Sequence, residues 1–315
     1  MKSDSKLEQA LEEGRFVVTG EIGPPKSADG DVIREKASIL KSHVVAANIT
    51  DNPTGVVRMS SIGCGVLALQ EGMEPIVQMT CRDRNRMAMQ SDILGATALG
   101  IKNLLCLTGD HPILGNHPQS KPVFDLDSIQ MTQMVRDMRD EKRFQCGDEM
   151  DHEPKVFIGA VENPFGDPLS FRSVRLAKKV KAGADFIQTQ LVYNVERFKE
   201  WMKEVRDLGL HERTYILAGV GPIRSVGAAR FMKNRVPGMD VPDKIVDRMA
   251  GVDKKEARKE GIKICVEIIQ QLREIEGIAG VHIMALEWEK AVGTITEAAG
   301  LEPLPMRLAA SPTKA

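Results

Sequence analysis

FVVTGE at residues 16–21 is a short apolar run of strand character closed by a carboxylate, and its reading decides the fold. The same design returns in LLCLTGD at 104–110, closed by Asp110, and in FIQTQ at 186–190, closed by Gln190. In a parallel α/β barrel every strand C-terminus opens on one face, so polar groups from distant strands converge there. Glu21, Asp110 and Gln190 therefore point to one site.

Outward from these runs, apolar β-rich stretches fall at 16–21, 44–50, 75–80, 103–107, 156–160, 186–190, 215–219 and 280–284. They alternate with segments of helical period at about 31–42, 60–70, 84–99, 128–140, 168–182, 194–208, 224–235 and 254–276. A last helix is expected near 287–299, a helical extension at about 1–14 and a disordered tail at about 305–315. Several strands read as nearly continuous apolar runs, which suits a sheet covered on both faces. Eight βα units in 315 residues predict a single-domain (β/α)8 TIM barrel, since no Gly/Ser/Pro-rich linker divides the chain. The competing fold is a doubly wound open sheet. Its first strand would run into G-x-G-x-x-G, whereas this one runs into GEIGPPKSADGD at 20–31, and no G-x-x-x-x-G-K-[ST] occurs.

A net charge of -1 with 42% apolar residues gives no pull toward nucleic acid or anionic lipid, so a small substrate is expected. The start, MKSDSKLEQALEEG, lacks the apolar run of a signal peptide, and no stretch approaches about eighteen continuous apolar residues. These features predict a soluble, cytoplasmic chain with no membrane segment. Cys64, Cys81, Cys106, Cys146 and Cys265 form no C-x-x-C pair, which argues against a zinc or iron–sulfur site and for buried, reduced thiols. A redox cofactor would be organic, or its metal would sit on a partner. Two connections are long. Residues 111–127 lie on the strand-exit face, where they can wall a cofactor, and 141–155 lie on the opposite face, as a solvated excursion or subunit contact.

TGEIGPP at 19–25, LTGDHP at 107–112, AGADFIQTQLVYN at 182–194 and HIMALEWEKAVGTITEAAGLEP at 282–303 together resemble the methylenetetrahydrofolate reductase family of flavin-dependent (β/α)8 barrels, from about residue 16 to residue 302. The resemblance implies reversible reduction of 5,10-methylenetetrahydrofolate to 5-methyltetrahydrofolate by hydride from a reduced flavin, in one-carbon and methionine metabolism. By match, Glu21 is the general acid that protonates the bridging nitrogen, a role open to a carboxylic acid set among apolar walls. The plainer role for a strand-end Glu is a salt bridge to a neighbouring loop. Asp110 matches a residue near the flavin that accepts two hydrogen bonds from the pterin edge, or else it caps a turn. Gln190 matches a strand-six glutamine that serves the pterin or the nicotinamide, and Gln188 shares its parity, so both are expected to face the barrel axis. Thr50, Gly109 and Lys179 carry over as flavin contacts.

The departures from the better-known bacterial form bear on the cofactor. Gln78 stands in place of a histidine, Thr108 in place of an arginine, and Arg172 and Arg175 in place of an acidic and an asparagine contact. Arginines there can clamp a phosphate, which leaves FAD and FMN both open. VENPFGDP at 161–168, with the long segment before it, resembles the reductases of anaerobic one-carbon pathways. That branch implies a cysteine-rich iron–sulfur or zinc partner as electron source beside NADH or NADPH, and an oligomer. AGVGPIRSV at 218–226 lacks the family's aromatic platform for a nicotinamide. Two further readings are a flavin-bearing electron-transfer subunit and a flavin-free, pterin-binding methyl-transfer barrel.

Overall fold

The eight apolar runs become eight parallel strands in a computed structural model that describes residues 1–301. They are Val17–Ile22 (β1), Ala46–Ile49 (β2), Pro75–Thr80 (β3), Asn103–Leu107 (β4), Phe157–Glu162 (β5), Phe186–Leu191 (β6), Tyr215–Val220 (β7) and Ile278–Ile283 (β8). Each pairs with the next in sequence order. The barrel closes where β8 meets β1, through Val17–Gly280, Val18–Val281 and Thr19–His282. Every strand end lies within two residues of its sequence expectation. The tail expected at 305–315 lies outside the described residues.

The helices are Lys6–Glu12 (α1), Asp31–Leu40 (α2), Ser61–Gln70 (α3), Arg86–Ala98 (α4), Ser128–Asp140 (α5), Arg172–Ala182 (α6), Val195–Asp207 (α7), Val226–Arg235 (α8), Asp243–Ala250 (α9), Ala257–Arg273 (α10) and Lys290–Ala298 (α11). Polar caps start several of them: Asn85, Asn194 and Ser225 accept from backbone N–H groups of the first turn, and Asp127 with Gln130 forms a capping box on α5. Helix α9 was not expected. Its buried Ile245, Val246 and Met249 follow Pro242 and Asp243, a legible start, but two turns are too short for periodicity to register.

Alternation along the strands sends one set of side chains outward to the helices and the other to the barrel axis. On the axis, Val17, Ile76, Leu105, Phe157, Phe186 and Leu217 fill the lower half. Phe157 and Phe186 stack at 5.3 Å between ring centroids, and Gly159 makes room for them, since a Cβ there would sit 2.3 Å from the Phe186 ring. Helix α1 closes this end by adding Leu7, Ala10 and Leu11 to the same cluster. Its first turn is anchored by Glu74, whose carboxylate accepts from Lys6 N (2.7 Å), Leu7 N (3.0 Å) and Asn103 Nδ2 (2.9 Å). With the lower half packed, the open space lies at the strand-exit end.

The 111–127 connection folds over that end and is pinned to the exit of β3 by Val123 N and Phe124 N, which donate to Arg82 O and Cys81 O. The 141–155 connection joins α5 to β5 at the other end. Cys64, Cys81, Cys106 and Cys265 are buried free thiols; burial pushes Cys106 and Cys265 up to about 12, while Cys146 is exposed. Among the described residues no helix is long and apolar enough to cross a membrane.

Candidate active site

Above the apolar half, the axis turns polar. Thr19, Asn48, Gln188 and His282 come from β1, β2, β6 and β8, and all are at most 2% exposed. Strand register puts Thr19 beside His282 and Glu21 beside Asn48. Asn48 and Gln188 form a reciprocal amide pair: Asn48 Nδ2 donates to Gln188 Oε1 (2.7 Å), and Gln188 Nε2 donates to Asn48 Oδ1 (3.1 Å). Gln188 Nε2 also reaches Thr19 Oγ1 at 3.3 Å, and Thr19 Oγ1 lies 3.0 Å from His282 Nδ1. On the other side of the ring, His282 Nε2 faces Glu21 Oε2 at 3.7 Å.

This layer is the floor of a cavity of about 550 Å³. Glu21, Gln78, Gln188, Gln190 and His282 line its axial part, and Glu162, Asn163, Arg172, Arg175 and Lys179 line its β5–α6 side. Gln190 returns its Oε1 to Leu191 N at 3.0 Å, which leaves its NH₂ group for a ligand. Lys179 is 3% exposed; its ammonium donates to Glu162 Oε2 at 2.8 Å and to the Val161 carbonyl. Burial pulls the Lys179 pKa below its ordinary value, and Glu162 opposes that shift. Arg172 stays 3.8 Å from Glu162 and donates to Asp167 O at 3.1 Å. Arg175 makes no hydrogen bond or ion pair among the described residues, so one guanidinium faces the cavity uncommitted.

A second group of expected residues does not line the cavity and lies at the exits of β2 and β4. The Thr50 hydroxyl is buried and has no hydrogen-bond partner. Thr108 Oγ1 accepts from Ser128 N at 3.1 Å and so holds the start of α5. Gly109 has φ +90°, and a Cβ there would crowd Thr80 Cβ at 3.0 Å and Arg82 Cβ at 3.1 Å, so glycine is required twice over. Asp110 is exposed, and its Oδ2 accepts from Thr54 N at 3.1 Å. Beneath this rim Asp51 accepts from Thr80 N (2.9 Å) and from Arg84 (2.7 Å), tying the exits of β2 and β3 together.

The structure thus gathers Glu21, Gln78, Gln188, Gln190, Arg172, Arg175 and Lys179 at one cavity and leaves Thr50, Thr108, Gly109 and Asp110 off its lining, at the exits of β2 and β4. Sequence reasoning missed Thr19, Asn48, Glu162 and His282. A polar residue alone within an apolar strand was the available signal for each of the first two and for His282. The arrangement offers a carboxyl group backed by an imidazole at the floor and a cationic wall to one side. Among the described residues no three His, Cys, Asp or Glu side chains are grouped to hold a metal.

A family model described as methylenetetrahydrofolate reductase matches residues 6–300. A probable methylenetetrahydrofolate reductase (NADPH) of Caenorhabditis elegans is 21% identical over 310 residues, covering 94% of this chain and 44% of that protein. Methylenetetrahydrofolate reductase 1 of Schizosaccharomyces pombe is 27% identical over 235 residues, 73% of this chain and 36% of its own. The chain spans about half, or less, of the length of such relatives. The 5,10-methylenetetrahydrofolate reductase of Pectobacterium carotovorum is matched nearly end to end, at 22% identity over 94% of this chain and 95% of that one. Among solved structures, a Clostridium thermocellum protein described as binding two copies of 5-methyl-5,6,7,8-tetrahydrofolic acid shares the fold, with a TM-score of 0.65 at 15% identity over 94% of this chain and 100% of that one.

Proposed function

The chain belongs to the methylenetetrahydrofolate reductase family, and from that premise we propose that it reduces 5,10-methylenetetrahydrofolate to 5-methyltetrahydrofolate. The observation that carries the reading is Glu21, a carboxyl group on the cavity floor with an imidazole 3.7 Å behind it and the buried Thr19, Asn48 and Gln188 layer below. Opening the methylene bridge needs a proton on the nitrogen that leaves carbon, and hydride then adds to the iminium carbon left behind. Glu21 is the group placed to deliver that proton, and His282 steadies the carboxylate once it is given.

The residues present fit a flavin. The unpartnered Thr50 hydroxyl and the Gly109 backbone suit one edge of a planar ring, and uncommitted Arg175 with Arg172 and Lys179 suits a phosphate. When bound, the flavin supplies the hydride. The cationic wall serves the phosphate of FMN or the pyrophosphate of FAD alike. Gln190 presents its NH₂ group to the pterin, and Asp110 reaches it from the rim with the Oδ1 that Thr54 leaves free. Gln188 is different, because both hydrogens of its amide are committed within the protein. NADH, NADPH and a cysteine-rich partner subunit are the electron donors to compare in the bleaching of the bound flavin. We place the reaction in the cytoplasm.

Glu21→Gln tests the assignment. It should lower methylenetetrahydrofolate turnover by about 10²-fold while reduction of the flavin by its donor persists, because one half-reaction alone needs the acid. Turnover near that of the wild type would remove Glu21 from the chemistry.

A further inference from the structure

The buried amides beneath Glu21 do more than fill the barrel. Gln188 Nε2 has two hydrogens, and three acceptors stand in reach, Asn48 Oδ1 at 3.1 Å, Thr19 Oγ1 at 3.3 Å and His282 Nδ1 itself at 3.5 Å. A threonine hydroxyl that accepts there has one hydrogen left to give, and His282 Nδ1 lies 3.0 Å away. With that hydrogen given to Nδ1, a neutral ring carries its own on Nε2. On that side two groups compete: the Asn48 Nδ2 donor at 3.4 Å favours a lone pair on Nε2, and the Glu21 Oε2 acceptor at 3.7 Å favours a hydrogen there.

We propose that the Asn48–Gln188 amide pair is a positioning element: through Thr19 it fixes His282 in the Nε2–H tautomer and so aims the ring N–H at the Glu21 carboxylate. Neither amide touches the reacting atoms in this role. Glu21 Oε2 is the charged group within 4.0 Å of His282 among the described residues, so the ring N–H meets no competing ion. At 3.7 Å the contact is longer than a hydrogen bond, and it acts through the N–H dipole. The opposite arrangement is well defined. With both amides turned end for end, Gln188 Oε1 would face Thr19, the hydroxyl would give its hydrogen to that oxygen, and the neutral ring would carry its own on Nδ1 with a lone pair aimed at Glu21. The amide pair therefore selects which of two faces the imidazole shows the acid.

The inference rests on the proposed reductase reading for its kinetic arm but not for its spectroscopic one. The two-bond ¹⁵N–¹H spectrum of ¹⁵N-histidine-labelled full chain, with His282 assigned by loss of its signal in His282→Gln, should show the Nε2–H tautomer in the wild type. In Gln188→Leu the signal should pass to a mixture of tautomers. In that variant kcat for methylenetetrahydrofolate reduction should fall by about 10²-fold, the scale for misplacing a catalytic group, with KM and flavin content little changed. The swapped pair Asn48→Gln with Gln188→Asn restores an amide at each position and should recover both tautomer and kcat. An Nδ1–H signal in the wild type overturns the proposal, as does an unchanged tautomer in Gln188→Leu accompanied by lost flavin or weakened KM, the mark of a merely structural role. A wild type that shows the Nε2–H tautomer yet never turns over methylenetetrahydrofolate would sink the reductase reading and leave this assignment standing. If Gln188→Leu does not fold, the wild-type spectrum and the swapped pair still decide.

Discussion

Replacing Glu162 with glutamine takes the charge out of the ion pair that walls the cavity, and its cost follows from burial. The Lys179 and Glu162 side chains are 4% and 1% exposed, with Nζ 2.8 Å from Oε2 and Arg172 Nη1 3.8 Å from Oε1. At 2.8 Å the attraction is about 6 kcal/mol for an effective dielectric constant of about 20. Part of that is offset because the carboxylate no longer has to be dehydrated, and breaking buried pairs costs about 3–5 kcal/mol in total. Glutamine keeps an oxygen for the ammonium, so the expected loss is about 3 kcal/mol. Adding Lys179→Met removes the stranded charge and should return most of it. Urea unfolding of the flavin-free chain, followed by far-UV circular dichroism, measures both numbers. The lysine also sets the pH dependence. Its folded pKa lies below the unfolded value of 10.5, so the native state binds fewer protons just under that value, and stability rises with pH there. Without Glu162 the depression deepens, and the rise should start at lower pH and be larger. A loss below about 1 kcal/mol, or a double variant no more stable than Glu162→Gln, would refute the reasoning that this pair is buried and coupled.

Two further expectations concern the parts that carry the site. Leu11→Ala opens a void in the α1 plug and should cost about 2–5 kcal/mol while turnover per folded, flavin-loaded chain stays unchanged; a small loss of stability, or an altered kcat, would contradict a purely architectural plug. The Arg86 guanidinium and backbone N–H beside Asp125 hold that carboxyl at about 2, against an ordinary 3.8. A depressed folded value means the anchorage of the 111–127 connection is complete above about pH 4 and is lost as pH falls through about 2. A carboxyl ¹³C titration should give a midpoint near 2 that Arg86→Gln moves back toward 3.8; a wild-type midpoint already there would dismiss the pair.

The barrel was legible because each strand is a local object. FVVTGE, LLCLTGD and FIQTQ announce their strands, and their closing residues fall at the exits, where Glu21 and Gln190 do line one cavity. What was not legible depends on register between distant strands. Asn48 and Gln188 are 140 positions apart, and Thr19 and His282 are 263 apart, so no window along the chain contains either contact. Parity did predict that Gln188 faces inward, but only the register shows that its amide is consumed by Asn48 and Thr19. Lys179 illustrates the same limit. A lysine in LAKKVKAGAD reads as surface or phosphate contact, and only the packing of α6 on β5 brings Glu162 to it. The α1 segment was readable as a helix; its service as the barrel's plug requires knowing that Leu7, Ala10 and Leu11 join the axial cluster of Phe157 and Phe186.

At the centre of the proposed reaction, Glu21 gives a proton to the bridging nitrogen of the folate, and a flavin held in the cavity would give hydride to the methylene carbon. The most direct test is to load the purified chain with flavin, reduce it anaerobically with dithionite, and add 5,10-methylenetetrahydrofolate while following the flavin absorbance. Reoxidation of the flavin with formation of 5-methyltetrahydrofolate in equal amount is the expected result. A chain that takes up no flavin, or a reduced flavin that stays bleached beside intact substrate, would contradict it.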